Sequence, residues 1–206
     1  MAYQLDIKEK EFDIFLSYNR GIIEQIEILY QKLTDLNYKV WMDDHETHAR
    51  GNLMDQLTIG LNNSKCAICF ITKRYSESKN CVLELTYMHE NDIPFIIVMV
   101  EDIKPKDLGA VGLLITPKTR LNFYKQDHDF GNIWSNERFS RLTETIQYFI
   151  DKYEQEKNFA KINNSRSTIN SFTSFEVGTR KFIFLIRQLN FVYFRRFLKK
   201  YQKITH

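Results

Sequence analysis

The sequence predicts a doubly wound α/β fold, a five-stranded parallel sheet with helices on both faces, followed by a separate basic helix. Three observations carry that prediction. Strand-like and helix-like segments alternate along the chain. The runs KCAICFIT at 65–72 and IPFIIVMV at 93–100 are almost continuously apolar, as strands covered on both faces are. The charge is divided: residues 177–206 hold eight basic residues and no acids, which leaves 21 basic against 26 acidic in the rest.

The elements follow in order. FDIFLSY at 12–18 is β-branched and aromatic and reads as the first strand, punctuated by Gly21. Ile22, Ile26, Leu29, Leu33 and Leu36 then recur at helical spacing with Glu24, Glu27, Gln31 and Asp35 between them, an amphipathic helix with one packed face. YKVWM at 38–42 is the second strand, and the polar stretch DDHETHARG at 43–51 is a loop closing on Gly51. Asn52 is placed to cap a short helix carrying Leu53, Leu57 and Leu61. After the third strand at 65–72, the hydroxyls of SES at 76–78 cap a helix to about Asn91. The fourth strand, 93–100, has its proline near the start, where it costs least. A short helix near 107–114 and a fifth, edge strand at 121–124 follow. Phe139, Leu142, Ile146, Phe149 and Tyr153 make a long closing helix. The Asn/Ser/Thr-rich residues 155–177 read as a polar linker, and 178–204 as an aromatic-rich basic amphipathic helix.

Composition narrows the class. A chain of 206 residues with 43% hydrophobic and 27% charged residues is not a disordered one. Three cysteines do not make a disulfide framework, so a reducing compartment is expected. The first ten residues are polar, without the apolar core of a signal peptide, and no apolar run has membrane-spanning length. The expected location is cytoplasmic.

In an open parallel sheet the functional crevice lies beyond the carboxyl ends of the strands, where strand order reverses. For the order 2-1-3-4-5, the loops after strands one and three border it, here Ser17–Gly21 and Lys73–Ser78.

FDIFLSYNR at 12–20, YKVWMDD at 38–44 with its polar loop, and above all SKCAICFITKRYSESKNCVLEL at 64–85 resemble the boxes of a TIR domain, the Toll/interleukin-1 receptor and resistance-protein module. Ser78-x-x-Cys81-x-x-Glu84-Leu85 follows that family's S-x-W-C-x-x-E-L pattern, with Asn80 where the usual Trp stands. The resemblance spans residues 10–154. It implies a flavodoxin-like sandwich and intracellular signalling of the innate-immune type through TIR–TIR self-association. It also implies NAD+ glycohydrolase activity, an NAD+ nucleosidase with NAD+ as consumed substrate and no cofactor. Glu84 would then be the catalytic carboxylate, and Tyr18, Asn19, Arg20 and Asn80 would line the substrate site. Asp44, His45, His48, Arg50 and Gly51, in the position of the BB loop, would meet a neighbouring TIR domain; the loop lacks the apolar or proline residue common there. The alternative is a non-enzymatic adaptor, favoured by the missing aromatic wall at Asn80.

Each residue also has a plainer account. Glu84 suits the flank of a helix whose inward side carries Val82, Leu85 and His89. Asn19 suits a helix cap, and Arg20 either a solvated loop or a phosphate. Tyr18 and Trp41 suit either sheet packing or stacking on a base. No Gly-rich phosphate loop follows strand one, so a dinucleotide cofactor of the Rossmann kind is not supported. The acidic and histidine-bearing loop lacks further ligands at a recognisable spacing, so no metal is assigned. Cys66 and Cys69, three apart on a strand, point to opposite faces and read as core residues, not a redox pair. A phospho-receiver would need an aspartate at the end of strand three, which here is Thr72-Lys73. Residues 180–203, taken as a surface helix, fit an anionic membrane surface, a docking face on another protein or weak charge-driven contact with nucleic acid, and no specific nucleic acid is expected.

Overall fold

The computed structural model describes residues 9–43, 53–124 and 134–173. The described residues up to Ala160 form one compact unit, and the helical residues 161–173 fall in another. The expected loop residues Asp44, His45, His48, Arg50 and Gly51, and the basic segment 178–204, lie outside the described residues.

Five parallel strands lie in the order β2-β1-β3-β4-β5: β1 Phe12–Ser17, β2 Val40–Trp41, β3 Ser64–Ile71, β4 Phe95–Met99 and β5 Arg120–Asn122. This is the order on which the crevice was placed, with the reversal between β1 and β3. There Phe12 pairs with Ser64 and Ser17 with Cys69. The apolar runs of β3 and β4 are central and buried, and β5 is the less buried edge.

Alternation along β1 sorts the core into two layers. Ile14 and Leu16 pack with Ile26, Leu29 and Leu33 of helix α1 (Ile23–Asp35) and with Leu142 and Ile146 of α6 (Asn136–Thr173). Phe15 faces the other way, toward Leu57 and Leu61 of α2 (Leu53–Asn62), Tyr75 of α3 (Lys73–Glu77), Leu85 of α4 (Lys79–Glu90) and Val111 of α5 (Gly109–Ile115). Cys66 belongs to the first layer and Cys69 to the second, so the two thiols diverge as expected. Burial pushes the Cys66 thiol up to about 12, with nearby Asp13 adding to the rise, and the Cys69 thiol higher still.

Two details differ from the expected elements. The helix expected to start at the 76–78 hydroxyls is α4, where Ser78 adopts extended backbone and its hydroxyl accepts from the Cys81 N–H, but the stretch before it, expected as a loop, holds the short helix α3. The closing helix does not stop near residue 154: residues 155–173, expected as the start of a linker, are helical. Ile146, Ile150, Tyr153, Lys157 and Ala160 continue one buried stripe at spacings of three and four, and the Lys157 ammonium meets Glu9 at 2.9 Å. That tertiary anchoring outweighs the weak helix propensity of the Asn and Ser residues that follow.

Candidate functional site

The site begins with the strand alternation. Ser17, the last residue of β1, shares the face of Phe15 and points its hydroxyl at the layer formed by α3 and α4. It is 1% exposed. Its Oγ donates to Oε2 of Glu84 at 2.6 Å and lies 2.8 Å from the Tyr75 hydroxyl. Tyr75 is fully buried, and its backbone N–H is held by the side chain of Thr72, the cap of α3.

Glu84 is half-buried on the flank of α4, as the sequence implied, but the inward side is not the one expected. The buried stripe of α4 is Cys81, Leu85 and Met88, while Val82 is half-buried and His89 exposed. Position 84 follows 81 by three and precedes 88 by four, so it borders that stripe. Its carboxyl group is turned in toward β1. Burial pushes that carboxyl up to about 7 from an ordinary 4.5; the Ser17 hydrogen bond pulls it down and the negative charge of Asp43 pushes it up. A group held near 7 exchanges its proton around neutral pH.

Two concavities meet at Glu84. One, about 180 Å³, lies between α2 and α4 and is lined by Leu57, Leu61, Asn80, Leu83 and Glu84 among others. The other, about 30 Å³, is bounded by Phe15, Tyr18, Arg20, Trp41, Asp43 and Glu84. Arg20 Nη2 sits 3.9 Å from Asp43 Oδ2. The carboxylate therefore lies at the carboxyl ends of β1 and β3, with a mixed-charge pair on one side and a largely apolar groove on the other.

The other expected site residues divide. Arg20 and Tyr18 line the smaller concavity, and the Tyr18 ring also packs on the α1 layer. Asn80 is exposed and lines the larger one. Asn19 caps the short 3-10 turn Arg20–Ile22, its side-chain oxygen accepting from the Gly21 N–H at 2.9 Å. Trp41 is a packing residue, stacked on Phe15 with centroids 4.4 Å apart, and Gly60 of α2 leaves it room: a Cβ there would come within 2.5 Å of the indole. Cys81 donates its thiol to the Tyr18 carbonyl at 3.4 Å. Burial pushes that thiol up to about 11, so it is no ready nucleophile. Among the described residues no cluster of potential metal ligands occurs.

Sequence reasoning placed Ser17 and Tyr75 on the loops that border the crevice but gave neither a role. The available signal was Ser17 itself, a small hydroxyl closing the apolar run Ile14–Leu16 of a central strand. Nothing local announces Tyr75, whose partner is 58 positions away.

A five-stranded parallel sheet of this order with helices on both faces is a flavodoxin-like sandwich. The particular family follows from comparison: the chain belongs to the TIR domain family, whose model matches residues 14–135. Among solved structures it is similar to the TIR domain of the Toll-related receptor TRR-2 from the lower metazoan Hydra magnipapillata. That match has 15% identity and a TM-score of 0.52, covering 66% of this chain and 98% of that one. It is also similar to the TIR domains of the activated Roq1 resistosome, at 19% identity and a TM-score of 0.43, over 68% and 84% of the two chains. No curated protein matches the sequence. Among the described residues no helix is long and apolar enough to cross a membrane.

Proposed function

We propose that this TIR domain signals by self-association and that its clustered form hydrolyses NAD+ with Glu84 as the catalytic carboxylate. The observation that carries the reading is the Glu84 carboxyl group, drawn inward at the switch point and bonded to Ser17, with open concavities on both sides. The reaction breaks the bond between ribose C1′ and the nicotinamide nitrogen. The bonding pair leaves with nitrogen, so nicotinamide departs neutral and needs no proton. Positive charge develops on the ribose, as in glycoside cleavage. A carboxylate beside it stabilises that cation electrostatically and accepts hydrogen bonds from the sugar hydroxyls. Water then adds at C1′ and releases a proton, giving ADP-ribose; attack by an adenine nitrogen instead gives the cyclic product.

The raised carboxyl suits this chemistry. A bound nicotinamide ribosyl cation favours the ionised form of Glu84, so substrate itself draws off the proton that burial retains. Arg20, paired with Asp43 beside the smaller concavity, is placed for the pyrophosphate, because a guanidinium matches phosphate oxygens. The 43–51 loop is assigned to the contact with a neighbouring TIR domain, which accounts for a requirement for clustering.

A second reading, a non-enzymatic adaptor acting only through TIR–TIR contacts, is favoured by two observations. The concavities at Glu84 hold about 180 and 30 Å³, below the few hundred Å³ of a typical small-molecule pocket, and Asn80 offers no aromatic wall. The test is nicotinamide release from NAD+ by protein concentrated or tethered on a surface. Release that disappears in a folded Glu84→Ala variant supports the enzyme; no release under any clustering condition leaves the adaptor.

A further inference from the structure

We propose that Ser17 and Tyr75 are positioning residues for Glu84, a two-hydroxyl chain from the core that fixes which carboxylate oxygen faces a substrate and holds that carboxylate in its working form. The inference rests on the NAD+ reading for its consequence but on the hydrogen-bond geometry for its substance.

The geometry fixes the direction of the chain. A serine hydroxyl has one proton. When Glu84 is ionised, Ser17 spends that proton on Oε2 at 2.6 Å, so the 2.8 Å contact with Tyr75 requires the phenol to donate to Ser17. The order is Tyr75 to Ser17 to Glu84, each bond polarising the next. When Glu84 is protonated, its own O–H can donate to Ser17 and the chain reverses. Both arrangements satisfy the serine, so the chain follows the proton on Glu84 without moving the backbone. Because Ser17 holds Oε2, the other oxygen is left for a substrate.

The supports are rigid. Ser17 is locked in register against Cys69 in the centre of the sheet, and Tyr75 is fixed by the capped first turn of α3. Charged and titratable groups face the pair from each element: Arg20 and Asp43 after β1 and β2, Cys69 from β3, Tyr75 from α3 and Cys81 from α4 itself. Burial pushes the Tyr75 phenol and both thiols far above neutrality, so they stay protonated while Glu84 titrates. Ser17 is the neighbour that pulls the carboxyl down, and Asp43 is the one whose charge pushes it up.

The test uses two oxygen deletions, Ser17→Ala and Tyr75→Phe, and the hydroxyl-retaining Ser17→Thr. Carboxyl-¹³C glutamate NMR, with the Glu84 signal assigned from its loss in Glu84→Gln, gives the titration midpoint without any substrate. The midpoint should rise about one pH unit in Ser17→Ala and by less in Tyr75→Phe, and stay near wild type in Ser17→Thr. The acid limb of nicotinamide release should move with it, leaving Ser17→Ala about fivefold slower at pH 7 and restored on the alkaline plateau. A midpoint unchanged in both deletions overturns the proposal. If wild type releases no nicotinamide, the enzymatic reading falls, while the NMR midpoints alone still support or overturn the positioning role.

Discussion

Replacing Glu84 by glutamine removes a proton equilibrium and leaves nearly the same shape. The folded protein holds the Glu84 carboxyl at about 7, against an ordinary 4.5. The folded state therefore binds this proton more tightly than the unfolded chain does. Its contribution to stability is fully present below the unfolded value and is lost as pH rises through 7. At pH 8 the ionised carboxylate costs the fold about 3 kcal/mol relative to a neutral group; at pH 5 the cost is only about 1 kcal/mol. Glutamine is neutral at both, and its side-chain oxygen still accepts from Ser17. Glu84→Gln should therefore stabilise the domain by about 3 kcal/mol at pH 8, a rise of very roughly 6–12 °C in Tm, with a much smaller gain at pH 5. Urea unfolding followed by circular dichroism at the two pH values measures the difference. Equal effects at both, or a variant less stable than wild type at pH 8, would refute the burial and hydrogen bonding assigned to this carboxyl.

Three other outcomes follow from the packing and the site. Asn80→Trp places an aromatic wall over the larger concavity beside Glu84 and should lower the KM for NAD+ about tenfold in clustered protein, the scale of one stacked base. Gly60→Ala drives a methyl group into the stacked Trp41 ring and should cost about 1–3 kcal/mol in denaturant unfolding. Cys66, Cys69 and Cys81 are all free and buried, so an aromatic disulfide reagent should leave the native protein unmodified over minutes and titrate three thiols once urea is added.

The parts of this fold that could be read from sequence are those where a local pattern answers to a single tertiary requirement. β3 and β4 are apolar throughout because helices cover both of their faces, and that alone places them in the middle of the sheet. Glu84 stood out through its box, but its direction did not. Val82 and His89 were as plausible an inward pair as Cys81 and Met88 until α3 and β1 were in place to choose between them. The hydroxyl chain is invisible locally because its three residues come from three elements and meet only when β1 pairs with β3. The extension of α6 past residue 154 was hidden for the opposite reason. Its Asn and Ser content argues for a loop, and only the burial of Tyr153, Lys157 and Ala160 against the unit overrides that preference.

The most direct measurement is the initial rate of nicotinamide release at pH 8 by surface-tethered wild-type protein and by Glu84→Gln, side by side. The account predicts release by the wild type and none above background by the variant, although the variant is the more stable of the two. Equal release by both proteins, or none by the wild type at any tethering density, contradicts it.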